Sequence, residues 1–134
     1  MTSFIRPSMA TLVAVSLFTA GASLAEEYRP EDGDEVVVYT NTFRADSFDT
    51  AKRIMVEEYG EAMAMSKQAR HTYWIANPET HQIVGISFFD KGHPVDTWHD
   101  HDARQAVLEK LEPLRGAPLV QQRYVVIGKH NTGG

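Results

Sequence analysis

Residues 35–43 read EVVVYTNTF, a β-branched and aromatic run with the composition of a strand. Directly after it, Asp46 or Ser47 is placed to cap a helix. The apolar residues of that helix, Phe48, Ala51, Met55, Tyr59, Ala62 and Met63, recur at spacings of three and four. Such spacings keep one stripe on one side, with Arg53, Glu57 and Glu61 opposite. The methionines sit on this burial stripe and therefore read as core filling. Residues 70–76 (RHTYWIA) predict a second strand and residues 81–89 (HQIVGISFF) a third. The turn sequence Asn77-Pro78-Glu79-Thr80 joins the two as a hairpin. Gly92-His93-Pro94 opens a second helix, with Pro94 in the first turn where a missing N–H costs little. It is expected to run unbroken to about Leu114, ending at Arg115-Gly116-Ala117-Pro118. Residues 119–127 (LVQQRYVVI) supply the last strand.

The order βαββαβ is the ferredoxin-like plan, an α+β fold with both helices on one face of an antiparallel sheet. Along the first strand Val36 and Val38 alternate with Val37, Tyr39, Asn41 and Phe43. On the third strand Val84, Ile86 and Phe88 alternate with Ile83 and Phe89. A sheet apolar on both sides but covered by helices on one predicts a second sheet against the other, most simply from a homodimer.

The ends of the chain carry different information. Residues 1–25 (MTSFIRPSMATLVAVSLFTAGASLA) have Arg6 as their only charge, an apolar stretch from Ala10 to Ala20, and small residues at Ser23 and Ala25. That is a secretory signal peptide, with cleavage expected after Ala25 and the mature protein in the periplasm or secreted. The apolar run is short of the roughly 20 residues a membrane span needs. The mature part, 26–134, is expected to form one domain, opening on an acidic, turn-rich lead-in (26–34) and closing on a polar tail. The chain has 134 residues and a net charge of −5; without the leader, twelve bases face eighteen acids and the charge is −6. An acidic balance without a basic run argues against a nucleic-acid partner. With no cysteine, disulfides, thiolate metal sites and cysteine nucleophiles are excluded. There is no G-x-S-x-G, no phosphate-binding glycine loop and no G-x-G-x-x-G.

The pattern VVVYTNTF before a long helix, then ISFFDKGHPVDTWHDHDA, then VQQRYVVI resembles the dimeric α+β barrel superfamily, and within it the antibiotic-biosynthesis-monooxygenase-like domains. The resemblance implies a homodimer and an interior pocket for a small aromatic or hydrophobic ligand. If the protein is an enzyme, it implies cofactor-independent oxygenation of an electron-rich substrate, without metal or cofactor. Phe89 stands where family members end the third strand in an aromatic, and Trp98-His99 stands in the place of a His-containing helical stretch. The haem-degrading branch uses Asn, Trp and His; Asn41 matches the first, but Phe89 replaces the Trp and His99 falls too early.

The candidate site residues follow from periodicity. On an unbroken second helix, His99 falls on the arc of Val95, Ala103, Ala106, Val107, Leu111 and Leu114, with Asp102 at its edge. A carboxylate there could orient the imidazole and raise its pKa. Asn41 among aromatics could hold a ligand carbonyl or hydroxyl. Asn41, His99 and Asp102 are therefore the catalytic candidates, and Tyr39, Phe43, Tyr73, Phe89 and Trp98 the candidate ligand-lining residues. The alternatives are a non-enzymatic carrier of haem or another small molecule, and a histidine-dependent metal binder. His99 and His101 diverge by about 200° on a regular helix and could chelate one ion only from an extended segment. Arg123 could pair with an anion or across a dimer.

Overall fold

A computed structural model describes residues 28–91 and 95–133. The signal-peptide reading of 1–25 and the helix opening at 92–94 lie outside them. The first strand, β1, spans Glu35–Thr42. A 3-10 turn, Ala45–Ser47, leads into helix α1, which has three contiguous parts: α-helical Phe48–Arg53, a wider π-helical stretch Ile54–Tyr59, and α-helical Gly60–Ser66. Strands β2 (His71–Asn77) and β3 (Gln82–Phe89) form the expected hairpin. Two helices follow, α2 (Val95–His99) and α3 (Asp102–Leu111), then a 3-10 turn Glu112–Leu114 and strand β4 (Val120–Val125).

The stripe expected on α1 is buried: Phe48, Ala51, Met55, Tyr59 and Met63 are all in the core, joined by Ile54, while Arg53, Glu57 and Glu61 are exposed. In an α-helix residues five apart lie about 140° apart; the wide turn brings Ile54 and Tyr59 to one side. Ser47 stands at the N-cap but makes no capping bond; its hydroxyl accepts from Arg44 instead. The helix ends at Lys67, in the left-handed conformation (φ 58°), whose N–H returns to the Met63 carbonyl.

The sheet order is β2-β3-β1-β4, antiparallel throughout, which is the ferredoxin-like arrangement. Register fixes the two faces. Val37, Tyr39, Asn41, Ile83, Ser87 and Phe89 point to the helices and are buried. The opposite face is lined by Val36 and Val38, by Val84, Ile86 and Phe88, and by Tyr73, Ile75, Val120 and Tyr124. These last four are 50–56% exposed. The sheet is thus apolar on both sides with helices on one, as the alternation in β1 and β3 predicted.

The second helix differs from expectation. It is not one helix to Leu114 but two, broken at Asp100-His101. His101 is extended (φ −71°, ψ 133°) and its Nδ1 accepts the Ala103 N–H, so it caps α3. Asp102 then opens α3, where a carboxylate complements the helix dipole. A His-Asp-His-Asp run favours such a break because these side chains compete for backbone hydrogen bonds. The His99 carbonyl at the break is taken up by Gln105 Nε2 (2.7 Å) and Arg104 Nη1 (3.2 Å).

Candidate functional site

The polar groups of the interior gather between the helix-facing side of the sheet and helices α1–α3. Tyr39 and Asn41 are supplied by β1, where a period of two places both toward the helices. Trp74 comes from β2. It lies across the backbone of its register partner Gly85, where a Cβ would stand 2.6 Å from the indole. Only a glycine permits that approach. Tyr59, the last residue of the wide turn, packs edge-on to both Trp74 (5.5 Å between ring centroids) and Trp98 (5.6 Å). Tyr39, Asn41, Tyr59, Trp74 and Arg104, with Met55, Leu108 and Leu119, enclose a cavity of about 10 Å³, room for about one water.

Two hydrogen-bonded sets meet there. In the first, the Tyr39 hydroxyl and His99 Nε2 are 2.8 Å apart. Burial, with the cations Arg104 and Arg123 nearby, pushes the His99 imidazole down to about 4, and burial raises the Tyr39 phenol. The imidazole is therefore neutral at neutral pH. In the second, the Tyr59 oxygen accepts from Trp98 Nε1 (3.2 Å) and Arg104 Nε (3.1 Å). Arg104 also donates to the Gln121 Oε1 (3.3 Å) and lies 5.9 Å from the Tyr39 ring centroid. Its residue is 4% exposed.

Asn41 is buried and fully engaged. Its Nδ2 donates to the carbonyls of Ile83 (3.2 Å) and Tyr39 (3.4 Å), and its Oδ1 accepts from Arg115 Nη1 (2.8 Å). Arg115 stacks on Phe43 and pairs with Glu112; its burial lowers its pKa.

The residues predicted for the site are only partly brought together. Tyr39, Asn41, His99 and Trp98 converge, and Phe43 lies one step along β1, under Arg115. Phe89 is wholly buried in the core and does not line the cavity. Tyr73 is on the opposite, open face of the sheet, 56% exposed, opposite Ile86 and not beside Tyr39. Asp102 is exposed at the start of α3, and the imidazole is held by the Tyr39 hydroxyl, not by that carboxylate. The helix break between His99 and Asp102 is the reason. Arg123 pairs with Asp96 of α2. Arg104, Tyr59, Trp74 and Arg115 were missed as site residues. The available signal was Arg104 itself, a charged residue three and seven positions ahead of the buried Val107 and Leu111.

Among the described residues no group of three or more His, Asp or Glu is arranged to hold a metal ion, and His101 Nδ1 is spent on its cap. Haem does not fit this arrangement either: His99 Nε2, the nitrogen facing the interior, is bonded to Tyr39.

No family model matches the sequence, and no curated protein does. Solved structures do. A candidate antibiotic biosynthesis monooxygenase from Caulobacter crescentus superposes with a TM-score of 0.63 at 10% identity, over 72% of this chain and 92% of that one. The Mycobacterium tuberculosis protein Rv0793 gives 0.62 at 9% identity, over 73% and 99%. A dimeric ferredoxin-like protein of unknown function from Thermobifida fusca gives 0.57 at 10%, over 76% and 100%. At such identities the likeness is one of architecture: the chain has the ferredoxin-like α+β fold of antibiotic-biosynthesis-monooxygenase-like proteins.

Proposed function

We propose that this is an exported homodimer that binds a small aromatic molecule between its sheet and helices and oxygenates it without a cofactor. The observation that carries the reading is the neutral His99 imidazole hydrogen-bonded to Tyr39 beside an aromatic-walled cavity. A neutral imidazole has one donor and one acceptor nitrogen. In the tautomer protonated at Nε2, His99 donates to the Tyr39 oxygen, and the Tyr39 hydroxyl is left to donate to the oxygen of a substrate bound as its phenolate or enolate. The deprotonated, electron-rich substrate supplies all the electrons: one oxygen atom of O2 enters it and the other leaves as water. The aromatic body enters where Leu108 and Leu119, the half-buried aliphatic lining residues, give way. Dimerisation covers the apolar open face of the sheet, in keeping with the Thermobifida structure, described as dimeric. The leader at 1–25 supports export.

The test is native mass, ligand binding and oxygen consumption of the mature protein against a panel of hydroxylated aromatics. His99→Ala, as a folded dimer, is expected to lose turnover at least tenfold; unchanged turnover would refute the role of His99. A second reading, a carrier without turnover, is favoured by the engagement of Asn41, whose carboxamide is spent on Arg115 and two carbonyls and holds no substrate oxygen. Binding without oxygen uptake by any panel member would select it.

A further inference from the structure

Arg104 is a buried cation without a buried acid. Among the described residues it forms no ion pair, and its three hydrogen bonds go to neutral oxygens: the Tyr59 hydroxyl, the His99 carbonyl and the Gln121 carboxamide. A guanidinium carries five N–H groups, so two remain. Charges taken out of water are ordinarily kept only where an opposite charge compensates them.

The Tyr59 hydroxyl carries an independent signal. Both of its neighbours, the Trp98 indole and the Arg104 guanidinium, can only donate. The oxygen therefore accepts twice, and its own hydrogen has no acceptor among the described residues. Tyr59 and Arg104 line the same cavity, together with the aromatic walls Tyr39 and Trp74. Unspent donors, a positive charge and flat apolar walls in one place suit a negatively charged oxygen on an aromatic body.

We infer that the ligand of this cavity is an aromatic anion of the carboxylate or phenolate class, its charged oxygen taken by the Arg104 guanidinium and the Tyr59 hydroxyl. The inference rests on the pocket reading above and adds the charge of the ligand and the residues that select it. The charges around His99 agree with it. Arg104 and Arg123 oppose protonation of the imidazole, while Asp96, held by Arg123, and Asp100 favour it only weakly. Burial is the main cause of the low value; a bound anion would offset the two cations and raise the imidazole part of the way from about 4.

The experiment compares benzoate with its neutral isostere benzamide on the mature protein, following binding by NMR. Benzoate is expected to bind at least tenfold more tightly than benzamide, and Arg104→Gln to abolish that preference. In the unmutated protein, benzoate but not benzamide should move the His99 titration midpoint upward, a measurement that needs no variant to fold. Equal affinity for the two probes overturns the charge inference and leaves the pocket reading standing. Binding of neither probe to the folded protein overturns both. A benzoate preference that survives in folded Arg104→Gln overturns the assignment to Arg104.

Discussion

Tyr59→Phe deletes one oxygen and leaves the ring in place, between Trp74 and Trp98. The oxygen it removes is the acceptor for two buried donors, the Trp98 indole, wholly buried, and the Arg104 guanidinium. Each buried donor left unpaired costs about 1–3 kcal/mol, the charged one toward the upper end. The adjoining cavity has room for a water that could take over part of the task, so the combined loss is about 2–4 kcal/mol. For a domain of this size that is a fall in Tm of roughly 10 °C or more. Denaturant unfolding followed by tryptophan fluorescence, at fixed protomer concentration, measures it directly. A cycle with Arg104→Met sharpens the test. Once the guanidinium is gone, Tyr59→Phe strands only the indole, so the double variant should be about 1 kcal/mol or more better than the sum of the singles. A loss below about 0.5 kcal/mol, or additivity within that margin, would refute the view that Tyr59 is the shared acceptor of this network.

Other perturbations probe separate parts of the molecule. Gly85→Ala places a Cβ 2.6 Å from the Trp74 ring and is expected to destabilise by about 1–3 kcal/mol, read from the same unfolding curves; a neutral result would mean the indole is not pinned there. His99, held at about 4 against an ordinary 6.5, favours the neutral form in the folded state. Stability is therefore complete above about pH 6.5 and falls by about 1 kcal/mol, discounted for its partial exposure, as pH drops toward 4. His99→Gln should flatten that part of the pH profile. Ile86→Glu, on the open face of the sheet, is expected to turn a dimer into a monomer by native mass; a dimer that persists would place the interface elsewhere. Asn41→Ala removes the acceptor for Arg115 and should cost about 2 kcal/mol in unfolding assays, more than the loss of a ligand contact alone would explain.

The architecture was legible because β1 and β3 alternate without a break and α1 keeps its stripe from Phe48 to Met63, about four turns. The site was less legible, for two physical reasons. Period-two alternation tells which residues share a face within a strand, but it does not fix the phase between strands. Tyr73 was grouped with Tyr39, whereas the register sets Tyr73 opposite Ile86 and so alongside Val38. The placement of His99 and Asp102 on one face assumed a regular helix, and a single extended residue, His101, removed it. Arg104 escaped notice because an arginine is ordinarily exposed, and Tyr59 because a phenol on a burial stripe looks like core until its donors are found.

The wide turn at Ile54–Tyr59 has a consequence for how this sequence tolerates insertions and deletions. Such a turn behaves as a helix carrying one surplus residue. Deleting any one exposed residue within it, Val56 or Glu57, would let the backbone close into ordinary α geometry with every hydrogen bond intact, and a helix-content measurement would register nothing wrong. Ile54 and Tyr59 would then stand four residues apart, about 40° around an α-helix, and would still share a side. The wide turn thus lets the helix carry one residue more than ordinary geometry needs without losing the face that holds Tyr59, and the segment is expected to tolerate the loss of that residue.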